Sequence, residues 1–213
     1  HADLIVGLPG ESVKSFKHGF NRLIEMSPDE VQVGILKRLR GTPIVRHDKT
    51  YSMIYSEKPP YQILQSKDMS FSEIQKMIRF SKHWDMVSNS GNWKSFLNEF
   101  KVTCQQQSFF DTFLDFSSFL SERHQNTHGI SLINLAESIF CFMQEKLCWP
   151  VEKCVLTLLT DYCFNKKRDL PPFLKNDENT KILCLKLMNE HKNKIRNTPE
   201  ASSLRKRQAQ HLQ

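Results

Sequence analysis

The chain has 213 residues, 39% of them hydrophobic, with six cysteines and a formal net charge of +7. That composition is globular and fits one sizeable domain or two small ones. No run approaches about 18 consecutive apolar residues, which excludes a helical membrane span, and no secretory leader is visible.

Leu4-Ile5-Val6 form a short apolar run, preceded by Asp3 and broken by Gly7-Leu8-Pro9-Gly10. An apolar run ending in turn residues predicts a buried strand over 3–6 that delivers its C-terminal end to a turn. A buried strand needs neighbours on both sides, so the chain is expected to be the tail of a larger protein, cut inside a β/α sheet or barrel. From Ser12 onward, Val13, Phe16, Phe20, Leu23 and Ile24 recur at helical spacing, and Pro28 places the end of that helix near Met26. Residues 30–36 alternate and then turn apolar, which suits a second strand. Strand, helix and strand with short connections form a βαβ unit with parallel strands and a right-handed crossover. Its exposed apolar faces are expected either to self-associate or to pack on the rest of the chain.

Gly41-Thr42-Pro43 predicts a turn or helix start, and 52–56 with 61–65 predict a small hairpin around Lys58-Pro59-Pro60. Ser70 and Glu73 form a capping box, with Met69 and Ile74 spaced as a hydrophobic staple. The helix they open should run to about Val87 and end at Asn89-Ser90-Gly91-Asn92. Further helical patterns cover 93–102, 107–123, 131–147, 150–165 and 179–195, with Pro150 suited to a first turn and Pro171-Pro172 ahead of the last helix. Leu132, Leu135, Ala136, Ile139, Met143 and Leu147 line one face of the fourth of these; Val151, Cys154, Val155, Leu158, Leu159 and Tyr162 line one face of the fifth. The expected fold is mostly α with a small α/β part: a βαβ portion over 1–50, a linker or hairpin over 51–67, and a helical domain over 68–213.

Candidate chemistry is sparse. Cys104, Cys141, Cys148, Cys154, Cys163 and Cys184 lack both Cys-x2-Cys and Cys-x3-Cys-x2-Cys spacing, so they read as reduced core residues of a cytoplasmic protein. His124 and His128 share a spacing but have no acid or cysteine as a third ligand, which argues against a metal site. Neither a Gly-x-Ser-x-Gly nucleophile elbow nor a phosphate-binding P-loop is present. The run Arg205-Lys206-Arg207 carries no aromatics, reads as a solvated tail, and speaks against nucleic acid. Asp3 stands inside an apolar strand and needs a partner or a cavity. It is either a core carboxylate bonded to backbone amides or a ligand contact, because parallel β/α architectures place ligands at strand C-termini. Gly7 and Gly10 lie at such an end and allow close backbone approach. Lys37, Arg38 and Arg40 put three cations at the same rim, either as plain surface charge or for an anionic or polar ligand.

HADLIVGLPGES followed by EVQVGILKRLRGTP resembles the fifth and sixth strands of radical S-adenosylmethionine (SAM) enzymes, in particular the cobalamin-binding group related to the oxidative magnesium-porphyrin cyclase and to oxygen-independent coproporphyrinogen oxidase. KPPYQIL, FSKHWDMVSNSGN and LLTDYCFNKKRDLPPFL resemble a helical C-terminal domain of unknown function that follows such cores. The resemblance implies that the βαβ unit is the last part of a radical SAM β/α barrel. It implies a SAM contact for Asp3 near the ribose, for Ile5 against adenine, for Gly7 at the strand end, and for the backbone of Leu36 and Lys37 along adenine. The family holds a 4Fe-4S cluster through a Cys-x3-Cys-x2-Cys loop and cleaves SAM reductively to a 5'-deoxyadenosyl radical. That loop is expected upstream of His1, and a cobalamin domain, where present, further upstream still. The implied partners are those upstream domains and an unidentified substrate, with neither membrane nor nucleic acid among them. The implied reaction is an oxidation or a methyl transfer, and the chain alone is expected to hold no cluster and to be inactive. The alternative is a non-catalytic helical module that binds protein or RNA.

Overall fold

A computed structural model describes residues 1–104, 108–124 and 129–196. The chain forms two compact units, residues 1–138 and 139–213. The fold is mostly α with a small α/β part.

In the first unit β1 (Ala2–Val6) and β2 (Val31–Ile35) pair in parallel, with Asp3 opposite Gln32, Ile5 opposite Gly34 and Val6 opposite Ile35. Between them runs α1 (Val13–Glu25). Its start is fixed by a reciprocal cap: Ser15 N–H donates to Ser12 Oγ at 3.2 Å and Ser12 N–H donates to Ser15 Oγ at 2.9 Å. After β2 comes a strap, residues 37–68. It contains a 3-10 turn over Pro43–His47 and an antiparallel hairpin of β3 (Ile54–Tyr55) and β4 (Ile63–Gln65). Ile63 N–H donates to Leu36 C=O and Arg38 N–H to Tyr61 C=O, both at 2.9 Å, so the strap is laced along the continuation of β2.

The helices then follow. α2 (Phe71–Trp84) opens on the expected capping box, with Ser70 N–H donating to Glu73 Oε2 at 2.8 Å. Met69 and Ile74 are both fully buried, as a staple requires. Beyond Trp84 the helix widens into a π turn over Asp85–Asn89 and stops at the expected turn of Asn89-Ser90-Gly91-Asn92. α3 (Lys94–Thr103), α4 (Phe109–Arg123) and α5 (Leu132–Glu145) come next, and α5 runs across the division between the units.

Alternation along the strands explains how the sheet is used. Val6 and Val31 turn their side chains to one face, which is buried, while Asp3, Ile5, Gln32 and Gly34 share the other, which is open. The buried face meets aromatic helices, so the βαβ unit packs on its own chain. Phe20 of α1 lies 5.3 Å from Phe80 and 5.0 Å from Trp84, and Trp84 lies 5.0 Å from Phe113, all edge to face. Trp84 Nε1–H also donates to Val31 C=O at 2.8 Å, tying α2 to β2. The Asn21 side chain clasps the start of α4: its Nδ2 donates to Ser108 Oγ at 3.0 Å and its Oδ1 accepts from Phe110 N–H at 2.9 Å. Lys17 pairs with Asp111 alongside.

The second unit holds the rest of α5, then α6 (Val151–Leu158), a π turn over Leu159–Phe164, a 3-10 turn over Pro172–Lys175 and α7 (Glu178–Arg196). Pro150 occupies the N-cap, one place before the first helical residue. Met143, Trp149, Cys154, Val155, Leu158 and Cys184 are buried there. Two expectations are corrected. Val151 is exposed, because it stands at the first turn, ahead of the packed stretch of α6, and Cys148 is exposed just before that helix. All six cysteines are free, and burial raises the thiols of Cys154, Cys163 and Cys184 to about 11. Among the described residues, no helix is long and apolar enough to cross a membrane.

Candidate functional site at the strand ends

The strand ends take their shape from two glycines. Gly7 (φ +87°) and Gly10 (φ +79°) both adopt left-handed backbone, which side chains disfavour. The strap closes down on both. A Cβ on Gly7 would lie 2.8 Å from Ile63 Cγ2, and one on Gly10 would lie 3.3 Å from the Tyr51 ring. Gly7 N–H donates to Glu11 Oε2 at 3.1 Å. Burial raises the Glu11 carboxyl above its ordinary value, and hydrogen bonding to the Gly7 and Leu8 backbone pulls it partly back.

Substituting Gly7 therefore carries a double cost. Gly7→Ala should lose about 2 kcal/mol from the left-handed backbone alone, with the Ile63 clash added. Chemical denaturation checks it, and pairing it with Ile63→Ala should recover the clash component. Additive costs for the two substitutions would contradict the contact.

Charge and ring contacts hold the turns of the strap to one another. The Lys67 ammonium sits 4.4 Å over the Tyr51 ring. Arg38 pairs with Asp48 at 3.1 Å, and its guanidinium lies 5.6 Å over the Tyr55 ring. Burial and the Asp48 charge raise the Tyr55 hydroxyl, opposed by Arg38.

The residues expected to bind a ligand fall on one side. Asp3 is not a core carboxylate: its side chain is 64% exposed and pairs with His1 Nε2 at 3.0 Å. The alternation of β1 puts it on the open face, where water solvates the charge and no burial penalty arises. Ile5, 42% exposed, lies on the same face. Its neighbour Gly34 leaves a gap there: a Cβ would meet only Leu4 C=O, at 3.7 Å. Leu36 continues β2, its N–H donating to Val6 C=O at 3.0 Å and its C=O accepting from Ile63. Lys37 bridges to Gln62 in the strap, with its side chain exposed. Ile5, Gly7 and Leu36 thus meet at one rim. Asp3 lies two residues below on the same face, and Lys37 lies beyond, against the strap.

Glu11, Tyr51 and Ile63 were not singled out in the sequence. Glu11 could have been, since it stands four residues from the amide it binds. Tyr51 and Ile63 reach the glycines only through the fold. Elsewhere, His124 Nε2 bonds Ser138 Oγ at 2.8 Å, while His128 and Arg205-Lys206-Arg207 lie outside the described residues. Two adjoining clefts of about 270 and 280 Å³ share Ile24, Lys101 and Phe109, and one of them reaches Val31 at the opposite end of the sheet from the rim.

A family model described as a protein of unknown function (DUF4080) matches residues 49–212. No curated protein matches the chain.

Proposed function

The chain belongs to the DUF4080 family of proteins of unknown function, and from that premise we propose that it is the C-terminal part of a radical SAM enzyme, an oxidoreductase or methyltransferase linked to cobalamin. Its strand ends supply part of the SAM pocket, and its helices cap the barrel mouth or hold substrate. The observation that carries this reading is the shared open face of β1 and β2. It places a carboxylate (Asp3), an apolar side chain (Ile5) and a side-chain gap (Gly34) beside a glycine turn.

These residues fit an adenosine. The Asp3 carboxylate can accept hydrogen bonds from two ribose hydroxyls. Ile5 and the gap at Gly34 offer a flat apolar surface to adenine. SAM bound next to a reduced 4Fe-4S cluster supplies radical chemistry. The described residues contain no group of three His, Cys, Asp or Glu that could hold a metal ion. The six free cysteines support a reducing, cytoplasmic setting.

Isothermal titration of SAM into the parent enzyme tests the assignment. Asp3→Ala should weaken binding by about 1–3 kcal/mol, the cost of leaving ligand hydroxyls unpaired. A folded variant with unchanged affinity would return Asp3 to a plain surface acid.

A further inference from the structure

Charge is concentrated in the strap. Residues 37–58 hold six Lys and Arg against two acids, a net charge of +4 within a chain of +7. One cation is used internally, Arg38 on Asp48. Lys37, Arg40, Arg46, Lys49 and Lys58 are exposed. Between them stand large apolar side chains that are also exposed: Leu39 at 54%, Val45 at 48% and Ile54 at 49%. Cations and exposed apolar side chains thus alternate along this stretch, a composition that an acidic, partly apolar partner complements.

We propose that this strap is a docking surface for an acidic peptide segment that also carries apolar side chains. The inference does not rest on the SAM reading. Three features select the partner. The cations are spread along a loop, a 3-10 turn and a hairpin instead of converging on one point, which suits an extended anionic chain better than a single small anion. Single-stranded nucleic acid binds through free aromatic faces, yet the Tyr51 ring is occupied by Lys67 and packs toward Gly10, and Tyr55 lies under Arg38. A membrane surface selects a helix with its apolar residues gathered on one side, whereas Leu39, Val45 and Ile54 belong to three different turns and strands. Acidic side chains complement the cations, and apolar ones cover the three exposed hydrophobes.

Fluorescence anisotropy on the whole chain tests this with four labelled probes: a peptide alternating Glu and Leu, a polyglutamate of equal length, a single-stranded oligonucleotide, and vesicles containing phosphatidylserine. The Glu-Leu peptide should bind most tightly. Reversing Lys37, Arg40, Arg46 and Lys49 to Glu should weaken it about tenfold or more, while reversing Lys186 and Lys192 on α7 should leave it unchanged. Leu39→Ser with Val45→Ser should weaken binding without altering its salt dependence. If the charge-reversed chain fails to fold, the same four positions changed to Gln serve in its place. Unchanged affinity after the strap substitutions, or an oligonucleotide or vesicle bound as tightly as the peptide, overturns the proposal.

Discussion

Trp84→Ala is expected to destabilise the chain by about 4 kcal/mol, the middle of the range for removing a buried aromatic. The indole is 3% exposed and touches rings from two other helices. Its N–H satisfies the Val31 carbonyl, so truncation leaves both a cavity and an unpaired acceptor at the start of β2. Trp84→Phe keeps most of the ring volume and loses the hydrogen bond, and should cost about 1–2 kcal/mol. Urea unfolding separates the two. Equal costs would mean that the hydrogen bond, not the packing, ties α2 to the sheet. A negligible cost for both would contradict the aromatic core as the link between the βαβ unit and the helices.

Acidification should unfold the chain through His83. That imidazole is fully buried, accepts or donates one hydrogen bond at Nδ1 to Ser117 Oγ (2.7 Å), and has no partner at Nε2 among the described residues. Burial, reinforced by the charges of Arg79, His124 and Lys82, lowers it from 6.5 to about 4. The unfolded state therefore takes up a proton before the folded state does. The stability that His83 contributes is complete above pH 6.5 and is lost as pH falls toward 4, about 3 kcal/mol in all. Glu73, lowered by its bonds to Ser70, acts in the same direction, and Glu11, raised by burial, acts in the opposite one. His83→Gln removes only the imidazole contribution, so the difference between the two pH profiles isolates it. A variant whose midpoint falls with pH as steeply as that of the original chain would assign the acid sensitivity to other groups.

Much of the scaffold was legible because local chemistry dictates it. Ser12 and Ser70 start helices by capping, the 3.6-residue spacing of Phe16 and Phe20 sets the buried face of α1, and the alternation in 31–35 sets the faces of β2. The π turns after Trp84 and Leu158 were not legible, since the apolar spacing there reads as ordinary helix and the extra residue per turn is a packing outcome. Of the two readings of Asp3, burial in the core fails for a related reason. An apolar run signals burial, but only one face of β1 is covered, and the acid falls on the other. The strap was the least readable part. Tyr51 on Gly10 and Ile63 on Gly7 join residues far apart in the chain, and no local pattern announces such contacts. Lys37, Arg38 and Arg40 were visible as a cationic rim. Their separation into one internal pair, Arg38 with Asp48, and several exposed charges emerges only once the strap is folded.

The adenosine site proposed for the open face of β1 and β2 is open to direct test. The most direct measurement is a titration of SAM into the chain, followed by NMR shifts of the Ile5 and Leu36 methyl groups and the Gly7 and Gly34 amides. Because these strand ends supply only part of the pocket, the chain alone should bind weakly, but the four positions should move together, with Asp3→Ala reducing the shifts. Shifts confined to the clefts around Lys101, or an unmoved Ile5 and Gly34 at saturating ligand, would contradict it.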